Sequence, residues 1–293
     1  MPTLQCHTSQ PTVLAVTDED AASYLQSQFS NDLRRSESNP VTYGLFLDRK
    51  GKVQHDAFIL QRGPEDFLLI SYHSDAETLQ HKVEENIIAD EVVIEDVSAQ
   101  FRLITLWGDD DALAKISPAK NCFSQVDGAL IFHSRMGGVG SLDCLIPSDI
   151  DWCPTGFSAT ESTADALRAS RIDAGFPAIP QDIGSSDLPH EGGDLSKIAV
   201  SYTKGCYLGQ EVMARLHSMG QAQRAIYRVS FASQSETGLL PVFSGERQVG
   251  SITSHVDGVG LALLKRRYVN NDAQLCIAKQ DGAPVKIISE ITA

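Results

Sequence analysis

Residues 204–211, Lys-Gly-Cys-Tyr-Leu-Gly-Gln-Glu, carry the clearest chemistry in this chain: a thiol beside a cation, between two glycines, just ahead of a helical pattern. A neighbouring Lys204 and a helix N-terminus both favour thiolate over thiol at Cys206. Gly205 and Gly209 allow a tight bend or a close approach to a ligand. Such a sulfur can serve as a redox thiol, a transient cluster ligand or a nucleophile. No His-plus-acid pattern accompanies it, so the nucleophile is the weakest of the three.

The other cysteines are Cys6, Cys122, Cys144, Cys153 and Cys276, and no two form a C-x-x-C pair. Scattered thiols in a 293-residue chain point to a reducing compartment. They also argue against a self-contained zinc or iron–sulfur site, whose ligands cluster. The net charge of −14 disfavours direct nucleic-acid binding, which relies on Lys and Arg. No apolar run reaches the roughly 20 residues of a membrane span. The N-terminus shows neither a secretory signal nor an Arg-rich transit pattern, so a cytoplasmic location is expected, or the mitochondrial matrix for a processed eukaryotic chain. The eight histidines follow no metal-binding spacing. Gly137-Gly-Val-Gly140 is too short for a dinucleotide loop.

The sulfur needs a scaffold. Hydrophobic periodicity predicts a strand over 12–16, a helix from Asp18 to about Arg34, and a hairpin of Tyr43–Leu47 with Val53–Leu60. A strand over Phe67–Ser71, a helix capped by Ser74 with Glu77, and a strand over Val92–Val97 follow. A similar order recurs: strand Phe101–Trp107, helix Asp109–Ile116, strands Leu130–Ser134 and Leu142–Ile146, helix Glu161–Ala174. The prolines and glycines of 175–203 interrupt this order, and a long irregular stretch in a compact domain is often functional. Beyond Arg224, short strands over 226–231, 239–243, 248–255, 259–264, 274–278 and 285–288 read as a small β-barrel or sandwich. The expected fold is α+β: a unit over 1–99, a related unit over 100–224 and a barrel over 225–293.

Lys204–Glu211, followed by Ala214-Arg215, Gly220 and Arg224, resembles the signature of the YgfZ/Iba57 family, folate-binding relatives of the glycine-cleavage T-protein (an aminomethyltransferase). Arg171-Ile-Asp-Ala-Gly-Phe-Pro177 is similar to the superfamily's R-x-E-x-G-x-P segment, with Asp173 one methylene shorter than the usual Glu. Leu188-Pro-His-Glu191 matches its L-P-x-E element, and the spacing after it is altered. Leu25-Gln-Ser-Gln28 with Asp32, and Leu47-Asp-Arg-Lys-Gly51, resemble its early elements. The resemblance spans nearly the whole chain. It implies a GcvT-like body around a central folate cavity, with tetrahydrofolate bound and an iron–sulfur cluster held at most transiently. It also implies partners in iron–sulfur assembly, including tRNA-modifying [4Fe–4S] clients, and an assembly factor more readily than an enzyme. The alternative is a folate-dependent one-carbon transferase, with Asp48 or Asp56 as the acid or base.

On that resemblance Asp173 is the pterin candidate, because a carboxylate accepts paired N–H donors from an aminopyrimidine edge. Lys204, Arg215, Arg224 and Arg228 against Glu211 give a local +3 that suits a glutamate tail. The same charges also fit a solvated helix face. Gln210 and Glu211 fit either a ligand or the first turn of a helix, where Glu is favoured.

Overall fold

A computed structural model describes residues 3–152, 158–232, 238–270, 274–277 and 282–292. Along the chain run β1 (Thr3–Ser9), β2 (Thr12–Thr17), α1 (Ala21–Gln28), β3 (Val41–Leu47), β4 (Val53–Gly63), β5 (Asp66–Ser71), α2 (Ala76–Glu84) and β6 (Val93–Asp96). Then come β7 (Phe101–Trp107), α3 (Asp110–Ala114), β8 (Ser124–Val126), β9 (Ala129–His133), β10 (Leu142–Pro147), β11 (Ser158–Glu161) and α4 (Ala164–Ala174). Two helices, α5 (Leu195–Ile198) and α6 (Gln210–Met219), lead to β12 (Arg224–Phe231), β13 (Leu240–Ser244), β14 (Arg247–Val256), β15 (Val259–Lys265), β16 (Leu275–Ile277) and β17 (Pro284–Glu290).

These strands make two sheets and a barrel. The first sheet has the order β3-β4-β5-β2-β6, the second β11-β1-β7-β10-β9-β8, and β12–β17 close into a barrel. β1 lies in the second sheet, antiparallel to β7 and parallel to β11, so the chain changes sheets at Gln10-Pro11. One cluster glues the sheets together: Val13, Phe58, Leu60 and Ile70 of the first meet Leu103, Phe132 and Leu145 of the second. Phe58 and Phe132 approach with ring centroids 5.2 Å apart. Burying such side chains is the main force holding the body together, at roughly 1.5–3 kcal/mol each. The barrel has its own core, including Val229, Val242, Ile252 and Leu264.

Two local expectations need correction. The first helix ends at Gln28 and not near Arg34. Phe29 turns extended, bridges Phe46, and lays its ring where a Cβ on Gly44 would sit 2.6 Å away. The second helix is capped by Asp75, whose carboxylate accepts from Thr78 N, because Ser74 Oγ is engaged with Ser71 and His55. Of the strand expected over 274–278, β16 covers 275–277; Ala278, like Cys153, lies outside the described residues.

Candidate functional site

The Cys206 loop rests on the first sheet. Ser201 N donates to Ser30 O, Ser30 Oγ donates to Ala199 O, and Asn31 Nδ2 donates to both Tyr43 O and Ile198 O. Lys204 completes the junction. Its buried ammonium donates to Gln26 O (2.6 Å), Phe29 O (2.7 Å) and Asn31 O (3.0 Å), closing the frayed end of α1. Burial draws its pKa down to about 8. With three protons on three carbonyls, Lys204 has none left for the sulfur or for a ligand anion. It anchors the loop.

Past the sulfur the chain dives against the β3–β4 turn. Gly209, the N-cap of α6, has φ +85°, and a Cβ there would meet Asp48 O at 2.7 Å. This glycine is required twice over, by conformation and by space. Gly205 faces open space and is not sterically constrained. Between them Cys206 is exposed and unpaired in any disulfide, while Tyr207 packs inward. The loop presents one thiol to solvent on a fixed base. Gln210 reaches Lys204 O, at 3.4 Å, and Glu211 pairs with Arg215 on the exposed face of α6.

A cavity of about 600 Å³ opens between the two sheets, inside the roughly 300–1,000 Å³ range of small-molecule sites. Tyr43, Phe58 and Phe176 give it aromatic walls, and Lys120, Asn121 and the 138–140 glycine loop reach its edge. Arg135 stacks on two of those walls, 4.9 Å from the Tyr43 centroid and 4.4 Å from that of Phe176. Its terminal nitrogens grip Asp194, and its buried Nε has no partner among the described residues. The sequence offers a signal for this arginine only in retrospect: it directly precedes the Met136-Gly137-Gly138 turn that folds into the rim.

The residues expected to hold a ligand are dispersed. None of 204–211 lines this cavity. Asp173 is largely exposed at the end of α4 and pairs with Arg228 of the barrel at 3.4 Å. Arg224 is spent on Glu191 and Asp187, at 2.7 and 2.9 Å, so the Leu-Pro-His-Glu element braces the barrel entry. Asp48 accepts from Lys50 N and Lys52 N and shapes the hairpin turn. Phe176, three residues beyond Asp173, is the part of the Arg171–Pro177 segment that reaches the cavity.

Behind the walls lie two buried carboxyls. Tyr43 donates its hydroxyl to Asp56 at 2.8 Å, while Asp143 accepts from Thr105 at 2.7 Å and from Tyr72. Burial pushes both acids up to about 6, against the hydrogen bonds that pull them down. The folded state therefore keeps a proton that the unfolded chain loses near 3.8, and stability falls as pH rises through that interval. His55 and His73, lowered to about 4 by burial, act in the opposite sense and mask the fall. A difference curve isolates it. The unfolding free energy of wild type minus that of Asp143→Asn should drop by about 3 kcal/mol between about pH 4 and pH 7. A flat difference in denaturant titrations would mean that Asp143 titrates as an ordinary aspartate.

The family model described as the GCVT N-terminal domain matches residues 7–145, and that of the CAF17 C-terminal beta-barrel domain matches residues 224–290. The "tRNA-modifying protein YgfZ" of Photorhabdus laumondii is 25% identical over 237 residues, covering 73% of this chain and 67% of that protein. The "iron-sulfur cluster assembly factor IBA57 homolog, mitochondrial" of Mycosarcoma maydis is 26% identical over 234 residues, covering 75% of this chain and 55% of that protein. Proteins named YgfZ and IBA57 thus resemble this chain over most of its length. The fold agrees: the glycine cleavage system aminomethyltransferase T from Bartonella henselae superposes with a TM-score of 0.78 at 14% identity, over 100% of this chain and 86% of that one. The architecture is thus a GcvT-like α+β body carrying a closed C-terminal barrel. Among the described residues, no helix is long and apolar enough to cross a membrane.

Proposed function

We propose that this protein assists the maturation or repair of iron–sulfur proteins, [4Fe–4S] enzymes that modify tRNA among them, and binds tetrahydrofolate in its central cavity. The observation that carries the reading is a two-part surface. A ring-sized hollow with aromatic walls lies between the sheets, and an exposed thiol stands on a separately braced loop. The relatives' names supply the biological setting. The residues present fit a pterin. Tyr43, Phe58 and Phe176 offer flat apolar faces, and Arg135, stacked on two of them, has a buried Nε with no partner among the described residues. A bound folate supplies a reduced ring that carries one-carbon units. The chain's own contribution is to exclude water around that ring and to hold Cys206 outside it.

One observation favours a second reading, a folate-dependent one-carbon transferase: Asp56, held near 6 by burial, is bonded to a tyrosine of the cavity wall. An acid poised near neutrality suits proton transfer. Equilibrium dialysis tests the shared premise. Tetrahydrofolate should be retained with a dissociation constant in roughly the micromolar range, and Phe176→Ala should weaken retention at least about tenfold through lost ring contact. No retention by the wild-type protein removes the folate reading. Folate-dependent release of a methylene group would select the transferase.

A further inference from the structure

The cavity mouth is electrically one-sided. Of the cations expected to receive a ligand's carboxylates, Lys204 closes α1, Arg224 grips Glu191 and Asp187, Arg215 pairs with Glu211, and Arg228 pairs with Asp173. Arg135 is bidentate to Asp194. Lys120 stands apart. It is exposed, it borders the cavity, and among the described residues it makes no hydrogen bond or ion pair. Its backbone is not free to wander. The adjoining Asn121, with φ +61°, accepts from Val41 N at 2.8 Å, and Phe123 N donates to Asn39 O at 2.9 Å. Those bonds tie the loop to the first strand of the opposite wall. The glycine lip carries the other sign, because Asp110 Oδ1 lies 3.4 Å from where a Cβ on Gly140 would be. Asp109 and Asp111 flank that acid on either side.

We propose that Lys120 is the anion seat of this mouth, and that it selects ligands in which a flat heteroaromatic ring carries a carboxylate tail. The inference rests on the folate reading and deepens it. The ring enters between Tyr43, Phe58 and Phe176. The tail leaves on the Lys120 side, away from the charge of Asp110. Each further glutamate on the tail adds negative charge near Lys120, within a screening length of about 8 Å at physiological salt. Longer tails therefore bind more tightly.

The test uses three probes on the full chain by isothermal titration calorimetry: 5-formyltetrahydrofolate, its triglutamate, and tail-less 6-methyltetrahydropterin. Wild type should bind the triglutamate more tightly than the monoglutamate. Lys120→Glu should weaken the monoglutamate roughly five- to tenfold, by losing one exposed ion pair and adding a repulsion. It should weaken the triglutamate more and leave the pterin within twofold. Asp110→Asn should tighten both folates about twofold by removing a like charge. If wild type binds the folates and Lys120→Glu changes nothing, the seat lies elsewhere and this inference fails alone. Equal weakening of all three probes makes the effect a distortion of the wall and also overturns it. If wild type binds no probe, the folate reading itself falls.

Discussion

Cys206→Ser should leave the protein folded and stop it working. In cells lacking the protein, the variant should restore [4Fe–4S] enzyme activity at least about tenfold less well than wild type, since serine cannot supply a thiolate. Its thermal midpoint should match wild type, because exposed substitutions away from packed features shift stability by only about 0.5 kcal/mol. Cys206 meets that condition: it is exposed, and the loop is held by its neighbours, Lys204 at one end and Gly209 at the other. Lys204→Met would be the wrong probe, since it strips three carbonyls of their shared donor and mixes chemistry with placement. Full rescue by the serine variant would remove the thiol from the proposed mechanism and leave the cavity as the working site.

The sequence made the sulfur legible because its neighbours are local: glycines, a cation and a helix start within eight residues. The body and barrel were legible for the same reason, since period-two alternation and turn glycines are short-range signals. What the neighbours do was not. Lys204 meets Phe29 across 175 positions, and Arg224 meets Glu191 across 33, so adjacency suggested a charged rim where folding makes braces. The end of α1 was hidden likewise, in Phe29 finding Phe46 and the space above Gly44. β1 was missed because its Thr-Leu-Gln-Cys-His-Thr-Ser sequence has little apolar content, and it becomes a strand through β7 and β11 on either side. The cavity walls come from β3, β4, the end of β9 and a loop beyond α4, which no linear motif joins.

In the Arg171–Pro177 segment the acid of the motif and the acid that braces the fold are different residues. Asp173 is its acid, yet Asp173 is mostly solvated, and Asp173→Ala removes one exposed ion pair worth about 0–1 kcal/mol. Arg171 is buried, and its partner is Asp182, nine residues past Asp173 and fully enclosed. Arg171 Nη1 donates to Asp182 Oδ2 at 2.8 Å and to Phe176 O at 2.6 Å, and its Nη2 donates to Ser254 Oγ of β14 at 2.8 Å. Asp182 also accepts from Ala178 N and from Thr253 Oγ1. One carboxylate thus ties α4, the turn that places Phe176 in the cavity wall, and the barrel. Asp182→Ala would leave the buried Arg171 guanidinium without its counter-charge and the Ala178 amide without its acceptor, while Thr253 Oγ1 keeps Leu261 O. Breaking such a pair costs about 3–5 kcal/mol, which lowers the melting temperature by on the order of 10 °C. Because the turn carries Phe176, folate retention should fall with it, whereas Asp173→Ala should lose little stability. Calorimetric scans of the two alanine variants decide the matter. An Asp182→Ala midpoint within about 2 °C of wild type would mean that the barrel is fastened to the body elsewhere, and that Phe176 is placed by packing alone.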